Sequence, residues 1–261
     1  MNEAFVTGIG LVAPGLPSWQ EAAPTLNGAR SYEAAPIGTV QSELLPANER
    51  RRAPLGVRMA LRAAQEATAA ADATAALASV FASSDADIEI IHRICTALAE
   101  PTRSVSPTDF HNSVHNAASG YWSIATRAHG PSSAVSAYDF NLAAGLREAL
   151  ALLSIDDTDV LLVLYDVPPP PPLFAARPLA HPAAVALLLT RARASGSIAR
   201  LALCEAREEA TMHDPKLEAL RQANPAMRAL PLLQAFAASR PACIGVREYD
   251  DRCLGIRINT P

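Results

Sequence analysis

The sequence is short of most features that announce a function. Aromatic residues make up only 5% of it, and no apolar run approaches the roughly 20 residues that cross a bilayer. A membrane-spanning helix is therefore not expected. Four cysteines (Cys95, Cys204, Cys243 and Cys253) are too few and too scattered for a secreted disulfide framework, so free thiols in a reducing compartment are expected. The opening Met-Asn-Glu-Ala-Phe-Val lacks the basic and apolar regions of a signal peptide, which predicts a cytoplasmic protein. A net charge of -4 offers no global basic field for nucleic acid or anionic lipid. No Gly-x-Ser-x-Gly elbow and no phosphate-binding P-loop occurs.

What is present is an apolar half of the chain, rich in Ala and Leu, enough to bury a sizeable core. Ala4–Ile9 predicts a buried strand that stops at the glycines before Pro14. Ser18 offers an N-cap for a short helix ending at Asn27-Gly28. Pro54 opens an Ala-rich helix, Leu77–Ala82 reads as a strand, and Asp85 is placed to cap a helix through Leu98. His115 to Ala128 reads as helix and Ser133–Tyr138 as strand. Leu142, Leu146, Leu150 and Leu153 then recur at four, four and three, which makes one buried helical face. Val160–Val167 has the continuous apolarity of a strand covered on both sides, and Pro168 to Pro172 predicts an extended loop. Val185–Thr190 and Ile198–Cys204 follow as strands and Pro215 to Ala223 as a helix. Ala242–Glu248 and Cys253–Ile258 form a predicted hairpin. Alternating strands and helices predict a layered α/β fold, with residues 1–261 as a single domain whose end, 205–261, is a helix and hairpin.

Several clusters invite chemistry. Val6-Thr7-Gly8-Ile9-Gly10 can be forced onto a dinucleotide fingerprint, but Pro14 and Gly15 leave no helix to hold a pyrophosphate; a tight turn after the first strand is the plainer expectation. His111 and His115, four apart, would share a helical face and could face zinc, yet no third ligand stands nearby; packed or hydrogen-bonded histidines are expected, and no metal or cofactor. Arg50, Arg51 and Arg52 are the one concentrated positive charge, either a solvated helix entrance or a dock for an acidic partner. Cys243 and Cys253 are candidates to face each other across the hairpin.

Taken in order, several stretches resemble the N-terminal half of the β-ketoacyl synthases of fatty-acid and polyketide assembly. These are Val6-Thr7-Gly8-Ile9-Gly10 with Pro14, Ser18-Trp19, Leu26-Asn27-Gly28, Glu49-Arg50-Arg51-Arg52, Val80-Phe81-Ala82-Ser83-Ser84, and Gly130-Pro131-Ser132 with the helix after it. Phe110-His111-Asn112-Ser113-Val114-His115-Asn116-Ala117-Ala118 with Gly120-Tyr121-Trp122 resembles a narrower branch. Its members are short synthase-like proteins related to chain-length factors, from aryl-polyene and xanthomonadin-type pigment pathways.

The resemblance implies a thiolase-like half fold and a complete ketosynthase as heterodimeric partner. It places Asp139 where the synthases carry their cysteine nucleophile, and the chain has neither of the two histidine settings of their second half. A helix N-terminus would activate a thiol but only stabilises a carboxylate, so Asp139 is expected to cap the helix through the N–H of Asn141 or Leu142 and no catalytic residue is expected. The resemblance further implicates Ser133, Val135 and Ala137 in a strand paired across a two-fold, and Phe110, His111, Val114 and His115 beside the partner's acyl tunnel. The expectation is a non-catalytic, chain-length-factor-like subunit. Two alternatives stay open: a stand-alone acyl- or malonyl-thioester hydrolase or decarboxylase using Asp139 with His111 or His115, and a module docking acyl carrier protein through Arg50–Arg52.

Overall fold

A computed structural model describes residues 3–40, 43–71, 74–155 and 158–261. In chain order the elements are β1 (Glu3–Val12), α1 (Trp19–Leu26), α2 (Ala47–Arg52), α3 (Leu55–Ala67), β2 (Ala78–Ala82), α4 (Ile88–Ala99), α5 (Pro107–Asn112), α6 (Ala117–Thr126), β3 (Ser132–Val135) and α7 (Asn141–Ile155). They continue with β4 (Val160–Asp166), α8 (Pro171–Phe174), β5 (Ala183–Thr190), β6 (Ala199–Ala206), α9 (Pro215–Ala223), α10 (Leu230–Ala238), β7 (Ala242–Tyr249) and β8 (Arg252–Asn259). The strands form one mixed sheet in the order β3-β2-β4-β5-β1-β6-β8-β7, parallel at β3-β2-β4 and antiparallel beyond.

Helices cover both faces of the sheet. In β4, Leu162 and Leu164 enter the core shared with α7 and α10, while Leu161 and Val163 enter the one shared with α3 and α6. That double burial is why β4 carries no polar alternation. Leu142, Leu146, Leu150 and Leu153 of α7 are all buried, as their spacing predicts. Gly145 lets α7 lie close, since a Cβ there would sit 3.0 Å from Leu162 Cδ1.

Several local expectations are corrected. β1 does not stop at its glycines but runs through Gly8 and Gly10 to Val12, and the expected tight turn follows it at Pro14-Gly15, with reciprocal backbone hydrogen bonds between Ala13 and Leu16 at 2.9 Å. A Cβ on Gly8 would lie 1.8 Å from the Ala67 carbonyl oxygen, and one on Gly10 1.9 Å from that of Ala63. The missing side chains let the backbone of α3 rest on the strand, which accounts for the Gly-x-Gly pattern without any nucleotide. Asp85 caps no helix: α4 begins after Asp87, and the Asp87 carboxylate instead accepts the Gly56 N–H at the start of α3, at 3.1 Å. The proline run is extended only at its start, because Pro171 and Pro172 open α8 from the first helical turn. β3 ends at Val135, short of Tyr138. The C-terminal hairpin forms, and it pairs on β6 to extend the same sheet rather than standing apart. Beyond the predicted helix α9, the segment also carries α10.

Candidate functional site

The loop from β3 to α7 is an elbow. Ser136 Oγ donates to the Ser84 carbonyl, Ala137 N–H to Asn141 Oδ1 at 2.8 Å, and residues Tyr138–Phe140 make a 3-10 turn. Tyr138 sits at φ 54, a left-handed conformation that costs a side-chain-bearing residue about 1–2 kcal/mol. Its ring is held by the Arg177 guanidinium, whose Cζ lies 3.8 Å from the ring centroid, a contact that offsets part of that cost.

Asp139 does not cap α7. Its Oδ1 accepts from Arg177 Nη1 at 2.7 Å, and Arg177 Nε reaches Asp85 Oδ2 at 3.3 Å. Burial works against the Arg177 charge, but the hydrogen bond and charge of Asp139, with Tyr138 and Asp85, more than offset it and hold the pKa raised. A buried cation recruits a carboxylate more strongly than a backbone N–H at an open helix start does, because the unpaired charge would be far costlier. Arg177 follows α8, so the proline segment delivers it to the elbow. Nothing in the local sequence pattern around Arg177 signals a partner 38 residues away.

Behind the elbow, Asp166 at the end of β4 is fully buried. Its Oδ1 accepts from the Ser84 N–H at 2.8 Å and from the Ser83 and Ser84 hydroxyls. Burial pushes its pKa up to about 7, against the Ser84 and Ser83 hydrogen bonds and the Arg177 charge, which pull it down. His115 closes the cluster, with Nε2 3.0 Å from the Ser83 carbonyl oxygen. His111 packs edge-on against Tyr121, with centroids 6.2 Å apart. The two histidines do not share a helical face: α5 ends at Asn112 and His115 lies in the turn before α6. Neither histidine is among the hydrogen-bond partners of Asp139. No group of three or more His, Cys, Asp or Glu able to hold a metal occurs among the described residues. Among the same residues, no helix is long and apolar enough to cross a membrane.

The flank of the elbow is apolar and open. Phe110 is 72% exposed, Val114 50% and Ile124 64%, with Ile91 and Leu98 of α4 also exposed. β3 forms one edge of the sheet. The carbonyls of Pro131 and Val135 accept from Ser79 of β2 and from Ser83 just after it, so by strand alternation the backbone groups of Ser132 and Ala134 point to the open side. Ser133 is turned inward to Glu148, with Oγ–Oε1 at 2.7 Å, and Val135 packs on the core. Ala137 lies beyond the strand. The opposite edge, β7, is partly covered: Gly245 accepts the Ala210 N–H at 2.8 Å.

Arg50, Arg51 and Arg52 all lie on α2. Arg50 donates to the Leu45 carbonyl, Arg51 to Asn48, and Arg52 pairs with Glu49 at 3.5 Å. Arg51, Arg52 and Arg93 line a cleft of about 830 Å³ together with Asp87, Glu89 and Asp109, so its charges balance. Cys243 does not face Cys253; Cys253 stands opposite Ala206 and Arg247.

The sequence model for the β-ketoacyl synthase N-terminal domain matches residues 19–249. Among solved structures, a ketosynthase in complex with its chain length factor from Xenorhabdus doucetiae aligns at 24% identity and TM-score 0.74, covering 97% of this chain and 98% of that one. The ishigamide ketosynthase/chain length factor aligns at 13% and 0.72, covering 98% of each. A type II polyketide synthase acyl-carrier protein in complex with its ketosynthase bound to the hexaketide aligns at 11% and 0.77, covering 100% of this chain and 99% of that one. No curated protein matches the sequence. At these identities the structural likeness speaks to the thiolase-like fold.

Proposed function

The chain belongs to the family of β-ketoacyl synthase N-terminal domains, and on that footing we propose that it is a non-catalytic, chain-length-factor-like subunit. In this reading it binds a complete ketosynthase, stabilises it and bounds its acyl tunnel, in polyketide or fatty-acid assembly of the aryl-polyene type. The observation that carries the reading is the elbow. At the position that the resemblance gives to a nucleophilic cysteine stands Asp139, and its carboxylate is neutralised by Arg177 instead of being presented to a substrate. A carboxylate in a salt bridge is a weak nucleophile and a poor base, which argues equally against an Asp139-centred hydrolase.

The partner role draws on the open side of β3. An unpaired edge beside exposed Phe110, Val114 and Ile124 is a liability that a subunit interface removes. An antiparallel strand from the ketosynthase would meet the free groups of Ser132 and Ala134, with Phe110, His111, Val114 and His115 toward its tunnel. The neutral balance of the cleft at Arg51 and Arg52 gives carrier docking less support.

Co-expression with a complete ketosynthase of the same gene neighbourhood tests this. A one-to-one complex is expected by size exclusion, and Ala134→Pro, which deletes one outward N–H while sparing the bonds to β2, should dissociate it. Two separate species from the wild-type pair, or an unaffected complex with folded Ala134→Pro, would overturn the reading.

A further inference from the structure

The last three strands of the sheet carry a thiol pair that belongs to neither the elbow nor the apolar flank. Cys204 of β6 and Cys243 of β7 approach to 3.3 Å between sulfurs, although β8 runs between their strands. Gly255 of β8 makes this possible. It stands opposite Cys204, and a Cβ there would lie 2.7 Å from the Cys204 sulfur. Gly245 faces Gly255 on the other side, so neither of these two positions puts a side chain between the cysteines. Cys243 is exposed and Cys204 half-buried. A disulfide needs about 2.05 Å between sulfurs, so the two sulfurs lie little more than an ångström beyond bonding distance.

The geometry points to Cys204 and Cys243 as an oxidative modification site, at which hydrogen peroxide converts the two thiols to an intramolecular disulfide. The exposed Cys243 thiolate attacks the peroxide: an S–O bond forms, the O–O bond breaks, and the departing hydroxide takes up a proton as water. The Cys204 sulfur then attacks the Cys243 sulfenic sulfur, an S–S bond forms, the S–O bond breaks, and hydroxide leaves with the Cys204 proton as a second water. Two thiols lose two electrons and the peroxide gains them. Burial, followed by the Cys243 sulfur, raises the Cys204 pKa against the Arg257 charge, which suits Cys204 to the second step rather than the first. The bond would staple β6 to β7 and close the segment holding α9 and α10.

Intact mass and peptide mapping of the full chain, treated with hydrogen peroxide, decide the matter. Wild type should lose the mass of two hydrogens, yield a linked Cys204–Cys243 peptide, revert with dithiothreitol and melt at a higher temperature while oxidised. Cys253→Ser should behave as wild type. In Cys204→Ser the two-hydrogen loss should vanish, with oxygen added at Cys243 instead. Oxygen addition or intermolecular linkage alone in wild type, or a two-hydrogen loss that survives Cys204→Ser, would overturn the assignment.

Discussion

At the scale of single residues, the elbow and the acid behind it make separable predictions. Asp166 has an ordinary carboxylate pKa near 3.8 when unfolded and about 7 when folded. Between those values the folded state holds more protons, so stability falls as pH rises through roughly 4 to 7 and is flat on either side. The shift corresponds to roughly 4 kcal/mol at its upper bound, from about 1.4 kcal/mol per unit. Asp166→Asn should remove this slope. Denaturant midpoints of the two proteins between pH 4.5 and 7.5 should diverge in the variant's favour as pH rises. Asp87, also pushed up by burial, tilts both proteins alike and cancels in the comparison. A pH-independent difference would mean that Asp166 does not titrate there. Asp139→Cys should restore no condensing activity, measured as decarboxylation and condensation of malonyl and acyl thioesters by the purified chain. A thiol at that position would stand beside Arg177 without either histidine setting of the synthases. The same variant should lose about 1–3 kcal/mol of stability in urea, because Arg177 loses the nearer of its two carboxylates.

At the scale of elements, what local rules govern was legible and what distant partners govern was not. The leucine spacing of α7 and the unbroken apolarity of β4 report their own burial, so both were readable. The cap assigned to Asp139 failed because capping rules weigh only nearby N–H groups, whereas here a buried guanidinium from beyond β4 competes and wins. α10 is masked in the sequence by Pro231, which has the form of a helix breaker but occupies the first turn, where proline is tolerated. The Gly-x-Gly of β1 carried a true signal of close approach, but the approaching group is the backbone of α3 rather than a pyrophosphate. That contact is checkable. Gly10→Ala places a Cβ within 1.9 Å of a backbone oxygen that has no rotamer to yield, so α3 must shift as a unit. The expected cost is about 3 kcal/mol, a fall in Tm of roughly 6–12 °C in a chain of this size. Gly196→Ala, with open space around it, is the control and should leave Tm within about a degree of wild type.

At the scale of the whole molecule, the asymmetry of the sheet is the organising fact. One end is finished: β7 is partly covered by the 208–210 segment, and Arg221, buried among Glu209 and Glu218, ties the segment to α9. Arg221 first, and then lesser contacts, hold the Glu218 carboxyl at about 2, so this tie stays ionised down to strongly acidic pH. The other end stops at a four-residue strand whose outward backbone groups meet no partner among the described residues. Apolar side chains gather on the helices beside that unfinished end. If the end is an interface, removing its apolar character should have opposite effects on the free chain and on the complex. The double variant Phe110→Ser, Ile124→Ser loses little of the core, since both side chains are more than half exposed, so its unfolding free energy should stay within about 0.5 kcal/mol of wild type. Its light-scattering onset should come later than that of wild type when the chain is concentrated alone, because a sticky patch has been removed. In the presence of a ketosynthase its affinity should fall at least tenfold by calorimetry, as two desolvated anchors worth about 1 kcal/mol or more each are lost. Later aggregation without loss of affinity would identify the patch as mere exposure; loss of both together is what an interface requires.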